Sequence, residues 1–351
     1  MTIDLEAVHG LAPVIGSLPG DAVPYYLQSG DGLRFERDNQ LWTIVARASD
    51  TGSAFDAAFV LGGRGAAEPF HSLAEHQRSY VVFDGSVQFW LPGESRILNS
   101  GDSVHIPPGV PVAYRMLAHM SRVLFFSAPG GALDALANSV GAVEQSVYSA
   151  GTATGIGGPM LAAGGVDRHD LEYAPIRDVW DSELPAGIEG YFNRAHTGEM
   201  RAWPDAVNAY SARGRNTGGR YFGVTSVSGR QPYIPQHFHR LHTENFFCMS
   251  GRVWLWLNGQ EVLLTPGDFV HAPAGTIHSF AITAPATRML GLLTTDVFEP
   301  FFDRTGIATD DNIYTEGLVD PSTLFQRLGQ IGDLDVTMVG PPPRRTFAPG
   351  L

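Results

Sequence analysis

The chain contains one stretch of itself twice. Residues His71 to Val112 align with His237 to His278 without a gap, at a constant offset of 166, and fourteen of the 42 paired positions are identical. The shared residues include Gly85/Gly251, Trp90/Trp256, Gly101/Gly267, Asp102/Asp268, His105/His271, Pro107/Pro273 and Gly109/Gly275. An ungapped self-match of this length marks an internal duplication, so the fold must be one unit built twice. The chain has 351 residues, enough for about two domains. Each copy also opens on a β-rich run, Leu41 to Arg47 in the first and Tyr221 to Val227 in the second.

Within each copy, short runs of β-branched and aromatic residues alternate with Gly, Pro, Asn and Asp turns. Tyr80 to Leu91 reads as two strands about Asp84-Gly85, and Glu244 to Leu257 as its twin about Ser250-Gly251, with the glycines at positive φ in hairpins. Many short strands at regular spacing predict an all-β chain with a sandwich or small barrel in each half. Between the halves, residues 142–218 are less regular, and Ala150 to Pro159 reads as a Gly-rich loop. Short helices are predicted over Ala132 to Val140, Phe298 to Arg304 and Ser322 to Leu328, with an extended tail from Pro341.

The two copies differ in the residues that carry chemistry. The second contains His237, His239 and Glu244, then His278 at the end of the matched stretch. Side chains alternate along a strand, so His237 and His239 project to the same side. Three imidazoles and a carboxylate suit a divalent transition metal such as Fe, Mn, Ni, Cu, Co or Zn. Four protein ligands leave room on a five- or six-coordinate ion for substrate or oxygen, which points to an active site. In the first copy His71 survives, but Leu73, Arg78 and Val112 stand where the second has His239, Glu244 and His278. A guanidinium about 4 Å from a divalent ion is repelled by roughly 8 kcal/mol at an effective dielectric near 20. One metal per chain is therefore expected, in the C-terminal unit only.

Composition excludes other classes. Hydrophobic residues make up 44% and charged residues 17%, the balance of a soluble globular protein. A net charge of −13, with arginine supplying all 23 basic residues, argues against nucleic acid or an anionic membrane as partner. Cys248 is the single cysteine, so no intrachain disulfide forms, and it reads as a small buried hydrophobe. The first residues lack a basic, apolar leader and no apolar run reaches about 18 residues, so a cytoplasmic location is expected.

The two ordered motifs of the second copy, His-x-His-x4-Glu-x6-Gly from His237 to Gly251 and Gly-x5-Pro-x-Gly-x2-His from Gly267 to His278, resemble those of the cupin superfamily. Two such units make a bicupin. Among bicupins, His237 to Cys248 and the segment from Pro24 to Trp42 most resemble the quercetin 2,3-dioxygenases. The resemblance implies two jelly-roll-like β-barrels in tandem with a few short helices. The expected boundaries are an N-terminal cupin over 1–145, an inter-cupin region over 146–218, a C-terminal cupin over 219–320 and an extension over 321–351. It also implies oxygen-dependent cleavage of a flavonol-like ring with loss of carbon monoxide. By the same likeness His237, His239, Glu244 and His278 hold the metal, Glu244 takes the proton of the substrate hydroxyl, and Phe246 and Phe280 flank the substrate. Partners are then a small aromatic substrate and O2, and a homodimer fits the family. The likeness departs at one point: fungal relatives keep their copper in the N-terminal barrel and some bacterial ones keep metal in both.

Two rival readings stay open: decarboxylation or isomerisation of a small polar acid, with Arg240 as the candidate cation, and a non-enzymatic ligand-binding bicupin. Oxidative tailoring of an aromatic polyketide is a variant of the leading one. Residues repeated in the metal-free half are read as structural, which assigns His242, His271 and Trp256 to the scaffold, together with Trp254 and Phe247. Arg78 is expected to pair with a nearby acid such as Glu75.

Overall fold

The computed structural model describes residues 4–37, 39–134, 142–145, 166–180 and 183–345. Among them the strands form four sheets, of nine, seven, five and five strands. Each barrel is one large sheet facing one five-stranded sheet, as expected of tandem cupins. The copies match in register: His71 faces Val112 across one ladder, and His237 faces His278 across its equivalent. Ser79 pairs with His105 as Asn245 pairs with His271.

Alternation along the large-sheet strands builds two kinds of core. Tyr80 and Val82 point into the first barrel, while Val81 and Phe83 point into a second cluster that also takes Phe247 and Met249 from the other half. Phe246 and Cys248, on the opposite face of the same strand, enter the C-terminal barrel. The large sheets thus pack back to back through Phe55, Phe59, Phe126, Phe247 and Phe269. Burial on both faces explains why these strands read as continuous apolar runs.

Two sequence expectations need correction. The turns at Gly85 and Gly251 do have positive φ, 78° and 83°, but they are not hairpins. Gln77–Asp84 lies in the seven-stranded sheet and Ser86–Leu91 in a five-stranded one. Glu244–Ser250 and Val253–Leu257 divide in the same way. The chain crosses between layers at these glycines, because each strand finds its partners far along the sequence. The described part of the region between the copies also contains more strands than its irregular sequence suggests. It contains the strands Val166–Arg168, Tyr191–Asn193, Met200–Ala202 and the fully buried Ala206–Ala212.

These strands show a reciprocal exchange. Tyr25–Leu27 pairs with Phe269–Ala272 of the C-terminal barrel, and Tyr191–Asn193 pairs with Ser103–Ile106 of the N-terminal one. Tyr25 and Tyr191 are separated by the same 166 residues, so each repeat lends an early strand to its neighbour. The expected helices near 298 and 322 are observed as Glu299–Thr305 and Pro321–Leu328. Most of the predicted helix after Ala132, and the Gly-rich loop at Ala150 to Pro159, lie outside the described residues.

Candidate metal centre

The C-terminal barrel gathers the four residues of the motif from both of its sheets. His237 sits on Gln236–Phe238 and His278 opens His278–Ile282, directly across the ladder. His239 follows one residue past the end of its strand. Glu244 opens Glu244–Ser250 in the large sheet, so its carboxylate faces the imidazoles across the barrel. The His278 Nε2 lies 3.0 Å from Glu244 Oε2, and the His239 Nε2 lies 3.5 Å from Glu244 Oε1. One nitrogen from each of His237, His239 and His278 falls within 4.8 Å of the others, a spacing that could hold a cation.

Hydrogen bonds aim these rings. His237 Nδ1 donates to the Pro235 carbonyl at 3.0 Å, His278 Nδ1 to the Thr276 carbonyl at 2.9 Å, and His239 Nδ1 to the Asp335 carbonyl at 2.5 Å. A carbonyl only accepts, so Nδ1 carries the proton and Nε2 presents a lone pair. A metal-binding histidine is commonly fixed in this way. His239 Nε2 is buried and has no hydrogen-bond partner. Leaving a buried polar atom unpaired costs about 1–3 kcal/mol, a cost that a coordinated ion removes. Burial pushes His237 down to about 4 and His239 well below the ordinary imidazole range, so both are neutral and able to ligate. Burial alone would raise the Glu244 carboxyl, but the imidazoles around it, of which His242 is the one raised above its ordinary range, outweigh burial and hold the group well below the usual carboxylate range. The donor set fits a divalent transition metal.

Comparison with known proteins places the chain. The cupin domain family matches residues 224–291. The quercetin 2,3-dioxygenase of Bacillus subtilis (strain 168) is 32% identical over 333 residues, which cover 93% of this chain and 98% of that protein. The chain belongs to the quercetin 2,3-dioxygenase family of bicupins. The quercetin 2,3-dioxygenase of Aspergillus japonicus is 34% identical over 84 residues, 22% of this chain and 24% of that one. Among solved structures, oxalate decarboxylase from Bacillus subtilis aligns with a TM-score of 0.51 at 13% identity, covering 77% of this chain and 76% of that one. Procruciferin, an 11S globulin from Brassica napus, aligns at 0.54 and 9% identity, covering 77% and 84%. At these identities the two structures share the fold alone.

Phe246 and Phe280 also lie where strand parity puts them, in the core cluster of this barrel, and the Phe246 ring centroid is 6.0 Å from that of His278. His271 behaves as scaffold: it is fully buried and its Nδ1 bonds the Asn245 side-chain oxygen at 2.7 Å. Cys248 is a buried free thiol.

Sequence reasoning missed two members of this bicupin's site. His242, assigned to the scaffold because His76 repeats it, lies at the centre. Its Nε2 is buried without a hydrogen-bond partner, 3.8 Å from Glu244 Oε1, and His239, His242 and Glu244 form a second group within 4.8 Å. The other is Asp335. Its backbone carbonyl holds His239, and its carboxylate accepts the Arg240 and Leu241 N–H groups at 2.8 Å and His242 Nδ1 at 2.7 Å. The strand that follows, Thr337–Gly340, pairs with the His237 strand. No spacing signal could have linked Asp335 to a motif about a hundred residues earlier. The expected pairing of Arg78 with Glu75 is not found: Arg78 is fully buried and its Nη2 donates to the Val110 carbonyl at 2.8 Å.

Proposed function

We propose that this chain is a metal-dependent dioxygenase that cleaves a flavonol-like or other hydroxylated polycyclic aromatic. His237, His239, Glu244 and His278 would hold one divalent ion, which could be Fe, Mn, Ni, Cu or Co. The observation that carries the reading is the convergence of three oriented imidazoles on a carboxylate in one barrel, in a chain whose curated relatives are named quercetin 2,3-dioxygenases. When bound, the ion supplies Lewis acidity and a template for the substrate hydroxyl.

The protein's own groups do the rest. Phe246 and Phe280 pack against the aromatic rings and keep water away. Glu244 accepts the hydroxyl proton as the substrate becomes an electron-rich enolate able to react with O2. A carboxylate held this low is a weak base, so transfer requires a hydroxyl already acidified in the site. Glu244→Gln should therefore lower kcat by about 10²–10⁴-fold while substrate Kd changes little. Oxygen uptake against a panel of flavonols and aromatic polyketides, run beside elemental analysis, tests the reading. A metal-loaded protein inert towards every panel member would overturn it.

The rival decarboxylase reading is weaker. It needs a cation beside the ligands, but the Arg240 guanidinium lies 5.2 Å over the Phe238 ring, and Phe238 faces away from His237 and His239 along the chain.

A further inference from the structure

A second difference between the halves lies where the large sheets pack back to back. Arg122 and Arg288 are separated by the same 166 residues and keep the same register. Arg122 faces Leu61 and Asp84 across its two ladders, and Arg288 faces Val227 and Ser250. Arg122 is fully partnered. Its Nε pairs with the Asp84 carboxylate at 2.7 Å, and its Nη1 donates to the Ser29 hydroxyl at 3.1 Å. Its guanidinium carbon lies 5.4 and 5.6 Å from the Phe59 and Phe83 ring centroids. At the matching places the second copy has Ser250, Ala195, Thr225 and Met249, so the carboxylate, one hydroxyl and both rings are gone. Among the described residues Arg288 donates from Nε to the Ser250 hydroxyl at 3.3 Å and pairs with no carboxylate.

The exchanged side chains leave a hole. Asn193, His196, Ser211, Thr225, Met249 and Arg288 line a cavity with about 10 Å³ for the centre of a water-sized guest, which admits one small species. In the first half Leu27, Val45, Phe59 and Phe83 stand at the places of Asn193, Ser211, Thr225 and Met249, so an apolar corner has become a polar one. The Ser211 hydroxyl and the His196 Nδ1 are buried there and bond to nothing among the described residues. A buried polar atom left unpaired is destabilising, so both call for a guest. Burial and the Arg288 charge hold His196 below the ordinary imidazole range, so the ring is neutral and can present an N–H at Nδ1. Asp102 does not supply the missing charge. Its oxygens accept the Ala195 and Asn99 N–H groups at 2.8 Å, as those of its twin Asp268 accept from Ser29 and Thr265 at 2.7 Å. We infer that this inter-barrel cavity binds one halide ion, chloride in ordinary solution, between the Arg288 guanidinium, the Ser211 hydroxyl and the His196 Nδ1–H. The ion takes the place of the charge that Asp84 brings to Arg122. Water would satisfy the hydrogen bonds but not the guanidinium, which bonds most strongly to an anion, and a carboxylate or phosphate is too large. This site is independent of whether the C-terminal barrel is a dioxygenase.

The test uses the full chain. Crystals grown in bromide should show an anomalous peak against the Arg288 guanidinium, and water alone or an empty cavity overturns the proposal. In solution, Tm is followed through a bromide titration and compared with gluconate at equal ionic strength, since gluconate is too large to enter. At about ten times Kd, the bromide-minus-gluconate difference should be about 2 °C larger in the parent than in Ser250→Asp, which gives Arg288 the carboxylate that Arg122 already has. Equal differences in the two proteins overturn the proposal. So does a crystal peak without a thermal effect, which marks an adventitious ion only. Arg288→Met should lose both the peak and the thermal difference. If that variant does not fold, Ser250→Asp still decides, because its twin Asp84 sits in an intact ladder.

Discussion

The two barrels share a scaffold and differ at three of the four candidate ligand positions. In each, a histidine at the same ladder position donates its Nδ1 proton to a carbonyl two residues earlier, Pro69 for His71 and Pro235 for His237, both at 3.0 Å. In each, an added strand from later in the chain covers the edge of that histidine's strand: Val166–Arg168 in the first, Thr337–Gly340 in the second. What differs is the ligand set and the closing strap. The second strap brings Asp335 onto His239 and His242. The first brings His169 onto Ser72, at 2.8 Å, away from the former ligand positions. The first barrel keeps its sheet register and its share of the inter-barrel core although Leu73, Arg78 and Val112 stand at three of the candidate ligand positions.

The sharpest way to break this contrast is to make the second barrel like the first. His278→Val copies Val112 into the equivalent ladder position. Metal content should fall from one ion per chain to none, and oxygen uptake by about three orders of magnitude, the several kcal/mol that a bound ion supplies. The fold should persist, as Val112 sits in an intact barrel. A variant that kept both its ion and its turnover would remove His278 from the site.

The strap gives the next largest effect. Asp335→Ala removes the carboxylate that accepts from Arg240, Leu241 and His242, while the carbonyl bound to His239 loses its fixed position. Metal affinity should weaken about 10–100-fold, as for other groups that orient ligands. Chelator competition measures this without any substrate. An unchanged Kd would make the strap a mere edge cover.

The converse experiment rebuilds the first barrel. Leu73→His, Arg78→Glu and Val112→His together restore the motif on a backbone whose register already matches. Metal content should rise from one to two ions per chain by elemental analysis, and it should stay at one if any single reversion is left out. A triple variant that still bound one ion would mean that the first barrel lost more than side chains.

These contrasts also mark what the sequence could disclose. The candidate site was legible because strand alternation puts His237 and His239 on one side and because the duplicate provides its own control. The fold class was legible from turn spacing. The layer crossings at Gly85 and Gly251 were not, since a positive-φ glycine between two strands looks the same in a hairpin and in a crossing. Which it becomes depends on pairings far along the chain. The exchanged strands Tyr25–Leu27 and Tyr191–Asn193 are three residues long, too short for periodicity to register. His242 was misassigned by the rule that a residue repeated in both halves is structural. His76 does serve structure, its Nδ1 bonding the Pro129 carbonyl at 2.9 Å, but the same residue type in the other barrel faces Glu244.

The smallest effect probes what the barrels have in common. His105 and His271 are equivalent, fully enclosed, and each pushed down to about 3 by burial. Both are therefore neutral in the folded chain at any moderate pH, whereas in the unfolded chain each takes up a proton near pH 6.5. Between those limits the unfolded state binds more protons, so each histidine contributes stability that is present above pH 6.5 and lost as pH falls towards 3. The full slope is about 1.4 kcal/mol per pH unit for each site. Asp56 works in the opposite direction. Burial raises its carboxyl to about 7, so the folded state holds the extra proton and stability falls as pH rises from about 4 to 7. That contribution is common to parent and variant and cancels in the difference. Denaturant unfolding of the metal-free chain between pH 6 and pH 5 should show His105→Gln and His271→Gln each reducing the slope by one proton's worth. The scaffold is shared between the barrels even where the chemistry is not, so the two reductions should be equal. Unequal reductions would mean that one barrel relaxes to admit water around its histidine, and the likeness of the two interiors would then end at the backbone.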